Sequence, residues 1–318
     1  MIWFYLLIFL VSCLVLFCSG SWLVESLMKI AKFLGWREFV VAFFAMALVG
    51  SGPNLFVGIS SAFHKIPQLS FGDIVGGNLI DLTIIMALAT LIAGGISVKS
   101  RTAQVTSIFT IAVAVLPLLL ILDKTLGRGD GILLISAFFC YVFWLFSKKE
   151  RFTRIYNKNK PPVVKSFRGF IKSLGKSILA IALLLLAAEG IVRSASFFAE
   201  SLQIPVSLIG ILVIGWGNAL PEAYFAITLA RKGQTWMILG DLMGSVIISA
   251  TLVLGIVALL CPIEIVDFSP FAIGRFFLII SAIAFFIFVR TDRKITKKEG
   301  LFLLLIYIIF FIVEILAN

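Results

Sequence analysis

The chain has 318 residues, of which 61% are hydrophobic and 14% charged, with a mean hydropathy of +1.14. A soluble domain of this size could not cover so much apolar side chain, so the composition excludes one and indicates a polytopic membrane protein. The net charge of +11 does not point to nucleic acid, because the basic residues gather in short connections between apolar runs, where they set orientation.

A helix needs about 20 mostly apolar residues to cross a bilayer. On that measure the sequence predicts an all-α fold of ten spans at 2–30, 38–62, 69–96, 103–122, 131–147, 175–200, 205–230, 235–261, 270–290 and 299–317. The first is read as a span and not as a signal peptide: no Lys or Arg precedes it, and its apolar pattern continues to Leu27. If the chain starts outside, the five inner connections hold 22 of the 27 Lys and Arg residues. That bias predicts both termini outside, in a plasma (inner) membrane. The one long connection, 148–174, is basic, contains Pro161-Pro162 and is expected in the cytoplasm. It divides a first five-helix repeat, 1–147, from a second, 175–318. Inside it Val163, Phe167, Phe170, Ile171 and Leu174 fall at helical spacing, which fits either a segment lying along the membrane surface or a solvated linker. Cys13, Cys18, Cys140 and Cys261 are scattered through apolar runs without metal-type spacing, and the single histidine, His64, sits in a loop.

The two halves echo each other at an offset of 168 residues. Val49-Gly50-Ser51-Gly52-Pro53-Asn54 and Gly72-Asp73-Ile-Val-Gly76-Gly77-Asn78-Leu-Ile-Asp81 correspond to Gly217-Asn218-Ala-Leu-Pro221-Glu222 and Gly240-Asp241-Leu-Met-Gly244-Ser245-Val-Ile-Ile-Ser249. Five spans per half make the repeat an inverted one, and paired Gly/Pro-interrupted segments at matching places point to a transporter's binding site. Glu25 precedes Lys29, and Glu189 precedes Arg193, by four residues; both are expected to be structural ion pairs.

Four acids, Asp73, Asp81, Glu222 and Asp241, fall in or at the ends of these spans. A charged side chain at the bilayer centre costs roughly 2.5–3.5 kcal/mol by the lower estimates. No basic residue lies within the four spans, so a cation or proton is the expected counter-charge. Asp73, Gly77 and Asp81 recur every four residues and share one helix face, as do Asp241, Ser245 and Ser249. The helix-breaking residues Gly50, Gly52, Pro53, Gly217 and Pro221 would free backbone carbonyls at membrane depth, and hard cations such as Ca²⁺ take six to eight oxygens. Alternatively, Asp73 and Asp241 cap helices near an interface while the glycines serve tight packing.

These motifs resemble the two alpha-repeats of the sodium/calcium exchanger (cation/Ca²⁺ antiporter) superfamily, here at about 38–96 and 205–261. The family pattern is Gly-Thr-Ser-x-Pro-Glu on one helix and Gly-Asn-x-x-Gly-Ser-Asn-x-x-Asn/Asp on the next. The resemblance implies ion ligands at Gly50, Ser51, Asn54, Gly77 and Asp81, and at Asn218, Ala219, Glu222, Ser245 and Ser249. Asn54 stands where the pattern has glutamate, Gly50 where it has threonine, Gly77 where it has serine, and Asn218-Ala219 where it has Thr-Ser. Ser249 replaces the last acid or amide, which leaves Glu222 and Asp81 as central carboxylates.

The implied function is alternating-access antiport of cations, Ca²⁺ against Na⁺, needing no cofactor, with inorganic cations and the lipid bilayer as partners. Glu222 and Asp81 would hold the ion, with Asn54, Ser51, Asn218, Ser245 and Ser249 as neutral ligands and Asp73 and Asp241 at the pathway mouths. Spans one and six, which lack polar stripes, would slide or rock against the rest. Proton-coupled exchange, another cation, or a transport-inactive scaffold are the alternatives. Gly127-Arg-Gly129-Asp130 matches the Gly-x-Gly-Asp pattern of intramembrane aspartyl proteases, but it falls in an outer loop with no Tyr-Asp partner.

Overall fold

The structure, a computed structural model, describes residues 1–33, 50–98, 101–147, 167–233, 235–265, 269–291 and 293–317. It is an all-α membrane fold of two inverted five-helix repeats. The first repeat contributes α1 (Ile2–Phe33), α2 (Gly52–Phe63), α3 (Gln68–Ala93), α4 (Arg101–Leu120) and α5 (Arg128–Ser147). The second contributes α6 (Phe167–Leu202), α7 (Val206–Arg231), α8 (Thr235 to Leu260), α9 (Ser269–Arg290) and α10 (Lys297–Ala317). Among the described residues nine helices are long and apolar enough to cross a membrane, and α2 is the described part of the predicted second span. Residues 38–49 of that span and 148–166 of the predicted linker lie outside the described residues. Helix α6 starts at Phe167, eight residues before the predicted sixth span. The helical spacing of Phe170, Ile171 and Leu174 therefore belongs to the first turns of α6.

The inversion is visible at the helix ends. Four two-residue strands form two antiparallel pairs: β1 (Ile96–Ser97) with β4 (Lys294–Ile295), and β2 (Thr125–Leu126) with β3 (Ile263–Glu264). Under the 168-residue offset β1 falls on β3 and β2 on β4 to within a residue, so one pair is the image of the other. Strand β1 follows the C-terminal end of α3, whereas Gln68 at its N-terminal end donates to the Glu264 carbonyl at 2.8 Å. The 26 residues of α3 span about 39 Å at 1.5 Å each, so the two strand pairs sit on opposite membrane faces. Cap chemistry repeats as well. Asp130 accepts the Gly127 N–H at 2.8 Å at the start of α5, and Glu299 accepts the Thr296 N–H at 2.6 Å at the start of α10. The Gly-x-Gly-Asp match is thus half of a capping box.

The apolar interior divides in two. Helices α1 and α6 pack along each other through Phe9, Cys13, Leu16 and Leu23 against Ala180, Leu184, Ala188, Ile191 and Val192. The central helices α3, α7 and α8, flanked by α4, α5, α9 and α10, form the main core. Within that core α3 and α7 cross at backbone contact. A Cβ on Gly76 would stand 2.8 Å from Ile211 Cα, one on Gly72 would strike the Ser207 carbonyl, and one on Gly215 would stand 2.9 Å from the Gly77 nitrogen. Small residues at such positions are what let membrane helices approach this closely. The two predicted ion pairs form: Glu25–Lys29 and Glu189–Arg193, both at 2.7 Å. Glu25 also meets Lys176, and Glu189 also meets Ser60 and His64 from α2 and the turn after it.

Candidate functional site

The close crossing carries the polar stripes of both repeats into one buried region. Asp81 lies about half-way along α3 and Glu222 a little past half-way along α7. Each is 3% exposed. Ser245 on α8 donates its hydroxyl to Glu222 Oε1 at 3.3 Å and also contacts Asp81, so a single serine stands between the two carboxylates. Asp241, one turn earlier on the same face of α8, interacts electrostatically with both. Asn54 on α2 donates Nδ2–H to Ser249 Oγ at 3.0 Å, which joins α2 to α8. Ser51 is buried one turn before Asn54. Gly50 completes this edge, since a Cβ there would stand 3.8 Å from Glu222 Oε1. A Cβ on Gly77 would meet nothing within 4 Å, so room remains beside Asp81.

The backbone is irregular at the same level. A π-helical turn begins at Asp81 (Asp81–Ile85) and another at Ser249 (Ser249–Val253), positions 168 apart. In each, a threonine two residues on bonds back to the carbonyl four residues before it: Thr83 to Leu79, and Thr251 to Ile247 at 2.5 Å. Single π-turns inside α-helices are frequent at functional sites, because they rotate side chains and shift carbonyls. The sequence reading missed both threonines, although their 168-residue spacing was a usable signal.

Three sequence expectations change here. Asp73 and Asp241, expected at pathway mouths, are buried in this structure: they are 0% and 6% exposed. They lie a turn or more inside their helices, with α7 covering Asp73 at the Gly72–Ser207 contact. The same burial removes the reading of either as an interfacial cap. Asn218 does not join Glu222; its Nδ2–H donates to Asp73 Oδ2 at 2.8 Å. The expected break at Gly217–Pro221 is absent, because Gly215–Arg231 is continuous helix with Pro221 inside it. Proline removes one N–H, so the Gly217 carbonyl loses its helical partner while the helix continues. Only Gly50–Pro53 behaves as predicted: Ser51 is in a turn and Pro53 lies in the first turn of α2.

Six buried oxygens of this region have no hydrogen-bond partner: Asn54 Oδ1, Asp73 Oδ1, Asp81 Oδ1, Asn218 Oδ1, Glu222 Oε2 and Asp241 Oδ2. Each unmet buried acceptor costs about 1–3 kcal/mol, and more when charged. All six are hard oxygen donors, the chemistry that alkali and alkaline-earth cations select.

A family model described as sodium/calcium exchanger protein matches residues 4–147 and 172–316. The chain belongs to the sodium/calcium exchanger family. Sodium/calcium exchanger MaX1 of Methanosarcina acetivorans is 26% identical, with 96% of this chain and 97% of that protein covered. The inner membrane protein YrbG of Escherichia coli is 24% identical, covering 84% of this chain and 82% of its own length. A solved structure of the sodium-calcium exchanger NCX_Mj matches the fold with a TM-score of 0.66 at 22% identity, over 97% of this chain and 98% of that one. Membership in the exchanger family makes this chain a multi-pass membrane transporter of the cation-antiport class. Among the described residues no three Asp, Glu, His or Cys side chains come together closely enough to hold a metal ion by themselves.

Proposed function

We propose that the protein exchanges Ca²⁺ for Na⁺ across the membrane by alternating access, with the ion held between Glu222 and Asp81. The observation that carries this reading is the meeting of one carboxylate from each inverted repeat across Ser245, each with an unpartnered oxygen. Two carboxylates neutralise one divalent cation. Asn54, Ser51, Ser245 and Ser249, with carbonyls shifted by the π-turns, supply neutral oxygens toward the number Ca²⁺ takes. Asp241, close in charge to both acids, adds attraction for an entering cation.

Helices α1 and α6 move as a pair against the central bundle, because they pack chiefly along each other and meet the bundle over a smaller apolar contact at Val57, Leu69, Ile209 and Ile214. Such motion exposes the site to one face and then to the other, with no step beyond ion binding and release. The termini lie outside and the basic connection after α5 lies in the cytoplasm, in line with the charge bias.

Uptake of radiolabelled Ca²⁺ into Na⁺-loaded proteoliposomes tests the reading. Wild-type protein accumulates Ca²⁺, and Glu222→Gln with Asp81→Asn abolishes uptake; uptake at wild-type rate in that double variant refutes the site. Uptake driven by a pH jump and indifferent to the Na⁺ gradient assigns the proton as counter-ion and refutes Na⁺ coupling.

A further inference from the structure

Helices α2 and α6, which separate in the motion described above, are joined by a charged contact that includes the chain's single histidine. His64 closes the C-terminal end of α2, where its backbone N–H donates to the Ser60 carbonyl at 3.0 Å. Its ring makes two further contacts. Nδ1 stands 2.9 Å from the same carbonyl oxygen, and Nε2 stands 3.1 Å from Glu189 Oε1 on α6. Arg193 Nε donates to that same Oε1 at 2.7 Å, and the Ser60 hydroxyl donates to Oε2 at 2.9 Å.

The donors and acceptors of this cluster require a proton. A carbonyl oxygen only accepts, and so does a carboxylate that an arginine keeps ionised. Both ring nitrogens of His64 therefore have to donate, whereas a neutral imidazole carries one N–H. The arrangement is that of an imidazolium; without the second proton, the Nε2 lone pair would face the carboxylate. Histidine is the side chain whose charge ordinarily changes between about pH 5 and 8. Its departure would orphan no charge here, since Arg193 and Ser60 remain on Glu189. The charged groups around the ring are Glu189 and Arg193 of α6 and, next to it in the turn, Lys65. Among the described residues α1, α3 and α8, which also pack on α2, form no ion pair with it.

We propose that His64 is a proton-operated latch: protonated, it ties α6 to α2 and holds the α1–α6 pair against the bundle; deprotonated, it releases the pair. The inference rests on the proposed motion of α1 and α6, and not on which cations are exchanged. The pairs Glu25–Lys29, Glu25–Lys176 and Glu189–Arg193 lie inside the moving unit and travel with it, whereas His64–Glu189 crosses from it to the bundle. The far end of α2 is anchored in the centre, where Asn54 donates to Ser249 of α8 at 3.0 Å. The latch thus acts on a helix that carries part of the site. The repeat confines it to one end of the molecule: under the 168-residue offset His64 falls on Lys232, which closes α7 and belongs to none of these four pairs.

Two measurements on the full-length protein test the latch. In a background lacking the native cysteines, spin labels at Ile132→Cys on α5 and Glu200→Cys on α6, both exposed, report the separation of the pair from the bundle. With His64 intact, the distance distribution should be narrow at about pH 5 and broader at about pH 8, the two ends of the histidine range. His64→Ala should give the broad distribution at both pH values, and His64→Lys, which keeps the charge, the narrow one at both. Uptake of radiolabelled Ca²⁺ is then measured with equal pH on the two sides of the membrane. The ratio of the rate at the higher pH to that at the lower should be about two- to fivefold greater in wild type than in His64→Ala, the scale of an exposed ion pair. Protonation of the central acids affects both proteins alike and cancels in this comparison. Wild type that takes up no Ca²⁺ at either pH contradicts the exchange reading and leaves the label distances to decide the latch. A distance distribution indifferent to pH with His64 intact, or the same pH response in His64→Ala as in wild type, overturns the proposal.

Discussion

Replacing Gly76 by alanine should loosen the crossing on which the whole site is built, and the neighbouring glycine supplies an internal control. A Cβ at position 76 would lie 2.8 Å from both the carbonyl carbon and the Cα of Ile211, and closer still to the Ile211 oxygen. Ordinary contact begins at 3.4 Å, so α3 and α7 must part by about 0.6 Å or more. These are backbone atoms and cannot rotate away. Parting the helices by that amount stretches the 2.8 Å bond from Asn218 to Asp73 towards the limit of hydrogen bonding. Overpacking of this kind costs about 1–3 kcal/mol. The gain in helix propensity from Gly to Ala offsets up to about 1 kcal/mol of that cost. Gly77 receives the same propensity gain, but a Cβ there meets nothing within 4 Å. Thermal stability in detergent, followed by size-exclusion chromatography after heating, should therefore fall by a few degrees for Gly76→Ala and hold or rise for Gly77→Ala. Equal melting temperatures for the two variants refute the close-crossing argument.

Further outcomes follow from the same geometry. Ser249→Ala deprives the Asn54 amide of its acceptor and should cost about 1–3 kcal/mol, seen as a lower melting temperature. Pro221→Ala restores an N–H for the Gly217 carbonyl, so it should raise the melting temperature. Asp130→Ala removes the acceptor of the Gly127 N–H and should cost about 1 kcal/mol of stability with no change in transport rate, as a cap requires and a catalytic aspartate does not allow. In a background lacking the native cysteines, Lys158→Cys should be labelled by an impermeant thiol reagent only in inside-out vesicles, and Lys124→Cys only in right-side-out ones; the reverse pattern inverts the proposed topology.

The sequence made the span count legible because each apolar run is long and ends in charge or glycine. It located the repeat because Pro53 and Pro221, and Gly72 and Gly240, keep a constant offset. The meeting of Glu222 and Asp81 was legible too, since each sits mid-helix on a polar face. What it could not supply was which face crosses which. Asp73 and Asp81 share a stripe, yet one meets Asn218 and the other Ser245, because α7 and α8 cross α3 at different heights. The burial of Asp73 and Asp241 was hidden for the same reason: nearness to a helix start along the chain says nothing of the helix laid over it. Pro221 was misread because a proline in a tightly packed membrane helix forfeits one bond without ending the helix. The start of α6 was placed late because charged residues between its apolar positions resemble a surface segment.

The most direct test of the account is a crystal structure of the protein soaked with Sr²⁺, a larger hard divalent cation whose anomalous signal marks its position. The account predicts a single strong anomalous peak between Glu222 Oε2 and Asp81 Oδ1, at the roughly 2.3–2.6 Å or slightly longer distances of carboxylate coordination. A peak at another position, or no peak between these two oxygens at saturating Sr²⁺, contradicts it.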